Sequence, residues 1–445
     1  MRGFAADSAQ SGRKAELSAS FGGRIAKARA RGELVVQPRM GFGNPALMRS
    51  GLAAVKRARA ATVGTITVDS YTRVGDMQSA ACALAAGRPL NGYPIASHGA
   101  DVTDVMLAGI ADERFPVQVR HGSAAPEGII RALVKAGMHA TEGGPVSYCF
   151  PYGRTPLEHS VENWARGCEL LVQTRPHGRV AHMETFGGCL IGQLCPPSLL
   201  LAISVLEGIF FVQHGLLSIS LSYAQQANRE QDVEALRALR RMTRHYFPTT
   251  DTHIVLYAYM GLYPETAAGS RRLLAEAARL AVEGGADRLI VKTVAEAHHI
   301  PSVRENVEAL EFAYASAATA SALAPRHRPQ PSWPDESVGR YQESGLYDEA
   351  QALVSGVLQL DADLGRALLK AFKQGLLDIP FCVHPDNPGR AQSYLSRDGR
   401  TLWSTVGSLP IKGIADVDSR RTLTSTELID TLSYVRRKFD GPVDR

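Results

Sequence analysis

Residues 115–144 read FPVQVRHGSAAPEGIIRALVKAGMHATEGG, and this stretch shows the pattern that decides the fold. The short runs 115–122 and 138–144 have the length and the apolar residues of strands. Between them, residues 126–137 have the Ala- and Leu-containing pattern of a helix. A strand, a helix and a second strand in this order predict one unit of a parallel α/β sheet.

The same alternation continues along most of the chain, from about residue 33 to about residue 320. The sequence contains nine candidate strands, at 33–39, 65–73, 91–99, 115–122, 138–144, 179–187, 217–223, 253–261 and 288–296. The candidate helices between them include 126–137, 157–173, 196–214, 231–244 and 270–284. Strands that are nearly all apolar and separated by helices indicate a parallel sheet covered on both faces.

The predicted fold class is α/β, a (β/α)8 TIM barrel with a short N-terminal extension and a helical C-terminal segment. Nine candidates compete for eight strand positions, so one is a loop or lies outside, and 91–99 and 138–144 are the weakest. An open doubly wound sheet is the alternative. That fold usually has a Gly-rich phosphate turn after its first strand, and QPRMGFGN (37–44) lacks the GxGxxG pattern.

The predicted domain organisation has four parts. Residues 1–31 form an Arg-, Ala- and Ser-rich extension; its composition is also that of a transit peptide, but we favour an irregular start followed by a short helix. The barrel spans 32–324, and the Pro-rich segment 325–337 is a linker. A helical segment, 338–445, follows, and its stretch LLKAFKQGLLDIPF (368–381) has an apolar face with which we expect it to dock on the barrel.

Composition excludes several functional classes. The chain has 445 residues and a formal net charge of +5, which is too mild to indicate nucleic-acid binding. The longest apolar run, 198–212, contains Glu207 and is shorter than the ~20 residues of a membrane span. Six scattered cysteines without a CxxC motif are typical of reduced thiols, so we predict a cytoplasmic protein without a membrane anchor.

Three arginines stand at the ends of candidate strands: Arg39, Arg73 and Arg120. The carboxyl ends of barrel strands form the active-site face of this fold. A guanidinium grips a carboxylate with two parallel hydrogen bonds. Any one of these arginines taken alone is equally compatible with a strand end that points to solvent. Together they predict a site for a small dicarboxylate.

The stretch TEGGPVSYCFPY (141–152) follows the fifth candidate strand. Glu142 is placed to hold or deprotonate an ammonium group. Tyr148 and Tyr152 are placed to donate hydrogen bonds from positions held by Pro145 and Pro151. The competing interpretation is a loop with two half-buried tyrosines.

Lys292 ends another candidate strand, with Glu296 four residues later. A Schiff-base lysine of an aldolase would occupy such a position, and so would a lysine that binds the hydroxyl groups of a ligand. His298 and His299 predict a loop before a helix, because no third metal ligand stands at a suitable spacing. In DTHIVL (251–256) a leucine stands where the cobalamin-ligating DxHxxG pattern has glycine, so we predict that His253 belongs to the core.

These motifs, in this order, resemble the large (epsilon) subunit family of glutamate mutase, also called methylaspartate mutase. The similar motifs are QPR, TxDxYTR, RHG after a strand, EGGxxSYxxPY, ETFG before PPS, MG after a strand and IVKTxxEAxxIP. The resemblance runs from about residue 32 to 320 and resumes at KAFKQGLLDIPF. The chain departs from the family at Pro145, at Cys149 and at SYAQQAN (222–228), where the family has Gly-rich or Asn-like residues.

The resemblance implies an isomerase that rearranges L-glutamate to L-threo-3-methylaspartate by radical chemistry with adenosylcobalamin. It implies a small, separate subunit that ligates the cobalt, and a homodimer of this chain within a heterotetramer. It implies these substrate-binding residues, with Glu142 as the catalytic base: Arg39, Arg73, Arg120, His121, Glu142, Tyr148 and Tyr152. It implies these cofactor-binding residues, with no metal ligand among them: Gly41, Thr67, Pro151, Met260, Gly261, Lys292 and Glu296.

Two other functions stay open at this point. One is a lyase- or aldolase-type barrel that acts on a small dicarboxylate through Lys292. The other is a catalytically silent homologue that only binds a partner. Binding of a dicarboxylate distinguishes the last of these from the two enzymes.

Overall fold

The computed structural model describes Leu17 and residues 20–151, 153–323, 345–421 and 423–441. Its largest sheet has eight parallel strands, in the order β1-β8-β7-β6-β5-β4-β3-β2. The strands are β1 (Val35–Gln37), β2 (Gly64–Thr67), β3 (Val117–Arg120), β4 (Ala140–Gly143), β5 (His182–Thr185), β6 (Ser218–Ala224), β7 (Asp251–Tyr257) and β8 (Arg288–Ile290). A parallel bridge between Val36 and Thr62, just before β2, joins the two edges. The predicted (β/α)8 barrel is confirmed.

Helices alternate with these strands and cover the outside of the barrel. Up to β5 they are Phe21–Ala30, Pro45–Arg57, Ser70–Arg73, Met77–Ala85, Ile95–His98, Ala100–Leu107, Glu127–Lys135 and Leu157–Val172. After β5 they are Pro197–Gln213, Arg229–Tyr246, Ala267–Gly284 and Val303–Leu323, and two short 3-10 turns lie at Arg175–His177 and Gly187–Cys189. Each helix predicted from the sequence is present within about three residues. None of the helices in the described ranges combines the length and the apolar character that crossing a membrane requires.

The ninth candidate strand, 91–99, does not join the barrel. Tyr93 makes a single bridge to Val68, and the chain then turns into the helix Ile95–His98. Pro94 explains the interruption, because a proline has no N–H to donate to a neighbouring strand. The other weak candidate, 138–144, supplies β4.

Alternate residues of the strands point into a polar barrel interior, which the apolar appearance of the strands did not predict. The amide of Gln37, for example, donates to Thr65 Oγ1 at 2.8 Å and to Gln118 Oε1 at 2.9 Å. The ring nitrogens of His182 lie 2.8 and 3.0 Å from the hydroxyls of Ser218 and Ser220. Inward-facing polar residues such as Gln37 and Arg288 stand next to apolar residues within short strands, so the strands look apolar as a whole.

The N-terminal helix Phe21–Ala30 packs against the starts of the strands. The Phe21 ring stacks on His182, with ring centroids 4.9 Å apart, and His182 stacks in turn on His253. The guanidinium of Arg288, the first residue of β8, lies 5.0 Å from the centre of the Phe21 ring. The helix therefore covers the amino-terminal end of the barrel. The sequence predicted a helix here but not this contact, and residues 1–16 lie outside the described part of the chain.

The C-terminal segment begins with the helices Leu346–Leu358 and Leu364–Gln374, where the sequence predicted helix over 338–376. An antiparallel pair, β9 (Gln392–Leu395) and β10 (Thr401–Thr405), and the helix Ser425–Asp440 follow. Phe372 packs on Phe150, with ring centroids 4.7 Å apart, so this segment contacts the loop after β4. The proposed linker 325–337 lies outside the described residues, and the domain boundaries stay a prediction.

Phe21→Ala tests the contact between the N-terminal helix and the barrel. Phe21 is 1% exposed, and removing a buried phenylalanine ring costs about 3–5 kcal/mol of unfolding free energy. The measurement is urea unfolding followed by fluorescence and circular dichroism. Phe312→Ala is the matched control, because Phe312 is 37% exposed on a surface helix and its loss is expected to be less than half as large. Equal losses in both variants would contradict the assignment.

Candidate active site

Two of the three predicted arginines lie at or just beyond the carboxyl ends of barrel strands. Arg120 is the last residue of β3, and Arg39 lies two residues beyond β1. Arg120 is buried, whereas Arg39 is half-buried with Nη1 3.9 Å from Met260 Sδ. Both side chains therefore start from the same end of the barrel.

Arg73 does not end a strand, and that part of the sequence interpretation is wrong. Strand β2 ends at Thr67, and Asp69 Oδ1 then accepts the backbone N–H groups of Tyr71 and Thr72 at 2.9 and 3.1 Å. This N-cap starts the short helix Ser70–Arg73, because it satisfies two of the helix's free N–H groups. Arg73 is exposed, and its Cδ lies 3.1 Å from the position of a Cβ on Gly122. It thus reaches the loop that follows Arg120.

Arg120 and Glu142, two buried side chains in direct contact, form the centre of the site. Arg120 Nη2 lies 2.8 Å from Glu142 Oε2, and the two side chains are 4% and 2% exposed. The hydroxyl of Tyr148 donates to the other oxygen, Oε1, of Glu142. Burial raises the pKa of Glu142, and the positive charge of Arg120 offsets only part of that effect. Burial opposes the charge on Arg120, but the neighbouring carboxylates outweigh it and raise the pKa of Arg120.

His121 borders this pair as a neutral ring. Burial, followed by the charge of Arg120, lowers the pKa of His121 to about 3. Its Nδ1 accepts the backbone N–H of Ser123 at 3.0 Å, which assigns the remaining proton to Nε2. Nε2 is buried and has no hydrogen-bond partner within the described residues. The ring lies edge-on to Tyr148, with centroids 5.3 Å apart, so one free donor stands beside the tyrosine.

Glu207, in the middle of the helix Pro197–Gln213, holds the turn after β4 in place. Its carboxylate accepts the backbone N–H groups of Ser147 at 2.8 Å, Gly187 at 2.9 Å and Phe186 at 3.2 Å. A Cβ on Gly144 would lie 2.0 Å from this carboxylate, so the close approach requires glycine. Glu207 therefore ties the loops after β4 and β5 together, a role that the sequence did not reveal.

A second group of predicted residues lies after β7 and β8. Lys292 follows the end of β8 by two residues, and its Nζ lies 3.6 Å from Glu296 Oε2 and 5.1 Å from the centre of the Tyr263 ring. Burial lowers the pKa of Lys292 to about 8; Glu296 opposes this shift and Arg39 adds to it. Because the charge of Arg39 affects the pKa of Lys292, the residues after β7 and β8 are electrostatically coupled to the arginine that follows β1.

The remaining predicted cofactor-binding residues lie beside the same rim. A Cβ on Gly41 would lie 2.2 Å from the carbonyl oxygen of Thr67, so the two loops pass in direct contact. Thr67 Oγ1 is buried without a hydrogen-bond partner in the described part of the structure. Met260 and Gly261 are half-buried just after β7.

Pro151 is buried, and its peptide bond with Phe150 is cis. The Phe150 ring meets His384 of the C-terminal segment edge-on, with centroids 4.4 Å apart. Tyr152 lies outside the described residues, so its predicted role stays a prediction.

Three residues of the site were missed from the sequence: Glu184, Tyr257 and Arg288. Glu184 and Arg288 are 0% exposed and form an ion pair across the barrel interior. The hydroxyl of Tyr257 contacts both Glu142 and Glu184. One signal for them was available, because charged residues of opposite sign within short buried strands have to pair with each other.

This arrangement suits one class of ligand. Arg39, Arg73, Arg120 and Lys292 place positive charge around one end of the barrel, where it attracts carboxylates. Glu142 and the hydroxyl of Tyr148 provide a negative and polar face for an ammonium group. The site therefore has the chemistry to bind an amino dicarboxylate.

Comparisons with known proteins agree on one family. A family profile described as "Methylaspartate mutase E chain (MutE)" matches residues 17–426. The chain is 28% identical over 407 residues to the glutamate mutase epsilon subunit of Escherichia coli O157:H7, over 88% of this chain and 82% of that protein. It is 29% identical over 408 residues to the subunit of the same name from Desulfitobacterium hafniense (strain Y51), over 88% and 81%. For that of Haloarcula marismortui, the identity is 30% over 344 residues, covering 75% and 68%.

Glu207→Gln tests whether Glu207 is a buried, proton-binding group that holds the loops after β4 and β5. The quantity compared is the pH dependence of the unfolding free energy. Burial raises the pKa of Glu207 to about 7 from its ordinary value of 4.5. Between these values the folded protein keeps a proton that the unfolded chain has lost, so this group's contribution to stability falls as the pH rises. The unfolding free energy of the wild type is therefore expected to fall by up to about 3 kcal/mol relative to the variant across this window.

The measurement is urea unfolding of both proteins at several pH values. Glu158→Gln is the control, because Glu158 is exposed and its change is expected to alter stability by no more than about 0.5 kcal/mol. A constant difference between wild type and Glu207→Gln across the window would exclude a buried, proton-binding Glu207.

Proposed function

The chain belongs to the methylaspartate mutase E chain family, and from that membership we propose that it is the catalytic subunit of an adenosylcobalamin-dependent glutamate mutase. In this proposal it is an isomerase that converts L-glutamate to L-threo-3-methylaspartate. The observation that supports it best is the buried pair of Arg120 and Glu142 at the carboxyl end of the strands. That pair offers a cation for a carboxylate and an acid–base group for the neighbouring amine.

Substrate binding follows from the charges at the rim. Arg39, Arg73 and Arg120 hold the two carboxylates of the substrate, each through a planar guanidinium. Glu142 and Tyr148 hold the amino group. The Nε2–H of His121, which has no partner among the described residues, donates a further hydrogen bond to the same end of the substrate.

Glu142 acts as the base during rearrangement. Because burial raises its pKa, its proton affinity moves toward that of an amine, which favours proton exchange between the two. The arginines keep the parts of the substrate in place while its carbon skeleton is cleaved and rejoined. The N-terminal helix covers the opposite end of the barrel and limits the entry of water from that side.

The residues after β1, β2, β7 and β8 fit the adenosyl part of the cofactor. Lys292 and Glu296 present a donor and an acceptor to the hydroxyls of a ribose, and Thr67 Oγ1, without a partner among the described residues, adds another polar atom. Gly41, Met260 and Gly261 border the same loops without bulky polar groups, and Pro151, from the loop after β4, is proposed to complete the pocket. Adenosylcobalamin, when bound, supplies the radical that starts the reaction.

We further propose that cobalt is ligated by a separate, small cobalamin-binding subunit. His253, in the sequence that resembles a cobalt-binding motif, is 3% exposed and lies 3.1 Å from Arg288 Nη2, so it is occupied within the core. The proposed assembly is a cytoplasmic heterotetramer that contains two copies of this chain.

One observation favours a second candidate, a lyase or aldolase. Lys292 is buried and its pKa is lowered to about 8, which is a property of lysines that form Schiff bases. Borohydride reduction in the presence of pyruvate or oxaloacetate would attach the keto acid to Lys292 if this candidate is correct. An unmodified Lys292 in the mass spectrum would remove it.

Reconstitution tests the main proposal. The purified chain, a small cobalamin-binding subunit of this family and adenosylcobalamin are mixed with L-glutamate. We expect 3-methylaspartate, detected by NMR, and none when either protein is left out. Absence of product with several small subunits, at concentrations where the two proteins form a complex, would contradict the proposal.

Arg73→Lys and Arg120→Lys separate the substrate clamp from the fold. An ammonium cannot replace a two-pronged guanidinium, so each change is expected to lower kcat/KM for L-glutamate roughly a hundredfold, or about 3 kcal/mol. Arg73 is exposed, so its variant should retain the wild-type unfolding midpoint, whereas Arg120→Lys should also lose stability. Arg88→Lys, at another exposed arginine, is the control. If Arg73→Lys and Arg120→Lys both showed wild-type kinetics, the assignment of these arginines to substrate binding would be contradicted.

A further inference from the structure

The hydroxyl of Tyr257 lies between two buried carboxyl groups. Its oxygen is 2.7 Å from Glu142 Oε2 and also contacts Glu184 Oε1. Arg120 Nη1 donates to the same oxygen at 3.1 Å. All four side chains are at most 4% exposed. The bridge Glu142–Tyr257–Glu184 is thus closed off from solvent in the described structure.

The number of hydrogens in this bridge does not match two ionised carboxylates. A phenol has one hydrogen and can donate it to only one of the two groups. The other carboxylate oxygen would then face the phenol oxygen at hydrogen-bond distance with no proton between them, which is repulsive. Both contacts become hydrogen bonds if one carboxyl group is protonated.

The surroundings decide which carboxyl group carries the proton. Glu184 Oε2 contacts Arg288 Nη2, and the Gln118 amide and the Ser220 hydroxyl donate to it at 3.2 and 3.3 Å. These donors favour the ionised form of Glu184, and its pKa is lowered despite its burial, mainly by Arg288. Glu142 has the opposite tendency, because burial raises its pKa.

Every element around Glu142 contributes a titratable or charged neighbour. These are Arg120 from β3, Tyr148 from the loop after β4, Glu184 from β5, Cys189 from the 3-10 turn and Tyr257 from β7. Burial raises the pKa values of Tyr148, Tyr257 and Cys189 well above their usual range, so these three groups keep their own protons near neutral pH. The extra proton therefore belongs to Glu142.

We propose that the ligand-free protein stores one proton on Glu142, shared through Tyr257 with Glu184, and releases it when an ammonium group binds. In the resting state Glu142 donates to Tyr257, and Tyr257 donates to Glu184. A bound ammonium donates to Glu142 instead, so Glu142 gives one proton to solvent while the ammonium retains its three. Tyr257 and Glu184 are positioning residues, which set the proton affinity of the base.

This inference deepens the proposed function, on which the identity of the ammonium-bearing ligand depends. The stored proton itself does not depend on any ligand. Two measurements on the full chain therefore separate failure of the inference from failure of the proposed function.

The first measurement is infrared spectroscopy of the ligand-free protein at pH 7. Protonated carboxyl groups absorb at higher frequency than carboxylates. We expect one such band to be absent from both Glu142→Gln and Glu184→Gln. In the second variant the new amide turns its oxygen to Arg288 and its NH2 to Tyr257, so Tyr257 donates to an ionised Glu142. Glu207→Gln is the matched control at another buried glutamate. It removes the absorption of Glu207 itself, whose pKa is about 7, and should keep the band that both Glu142→Gln and Glu184→Gln lose.

The second measurement is calorimetric titration of the wild type in buffers of different ionisation enthalpy. About one proton per site is expected to be released with L-glutamate, and none with glutarate, which has the same two carboxylates without the amine. Identical acid bands in wild type and Glu142→Gln would overturn the inference, and so would binding of both ligands with equal proton release. Failure of both ligands to bind would count against the proposed substrate, while the infrared result would still decide on the proton.

Discussion

The ion pair between Arg288 and Glu184 is the interaction on which the interior of this barrel depends. Both side chains are 0% exposed, and a charge without compensation at such a place costs several kcal/mol. Arg288 satisfies its other N–H groups with Gln37 and Gln118 and lies beside His253. Together with Ser220, these contacts bring residues of five other strands to one guanidinium on β8. The position of Glu184 follows from that arrangement, and through Tyr257 so do the positions of Glu142 and Arg120.

The barrel interior thus has two levels with different tasks. The lower level, next to the N-terminal helix, contains paired polar groups such as His182 between two serines. The upper level has donors without partners among the described residues, including His121 Nε2. The paired groups below help to keep the upper level in place, and the unsatisfied donors above remain available to a ligand.

The sequence predicted the barrel because strand and helix patterns alternate along most of the chain. Each strand–helix unit shows its own local pattern, so the prediction does not need distant contacts. It led to the prediction of Arg39, Arg120, Glu142 and Lys292 as site residues because each follows or ends an apolar run. It misplaced Arg73, because the capping by Asp69 converts TxDxYTR from a strand end into a helix.

It also missed Glu184, Tyr257 and Glu207, whose partners lie at least 20 residues away along the chain. Such partners become visible only when the strands are arranged around the barrel. A single polar residue within an apolar run gives no local indication of the residues that it contacts. The sequence therefore pointed to residues at the strand ends, but not to the buried residues that hold them in place.

The contact of the N-terminal helix with the barrel has a consequence for folding during translation. Phe21 is synthesised well before two of its contact partners, His182 and Arg288, which lie much further along the chain. At about 5–20 residues per second, the interval before they exist is on the order of tens of seconds. During translation this aromatic ring remains uncovered while nearly the whole barrel is being made, and nascent chains are then open to chaperones or to one another.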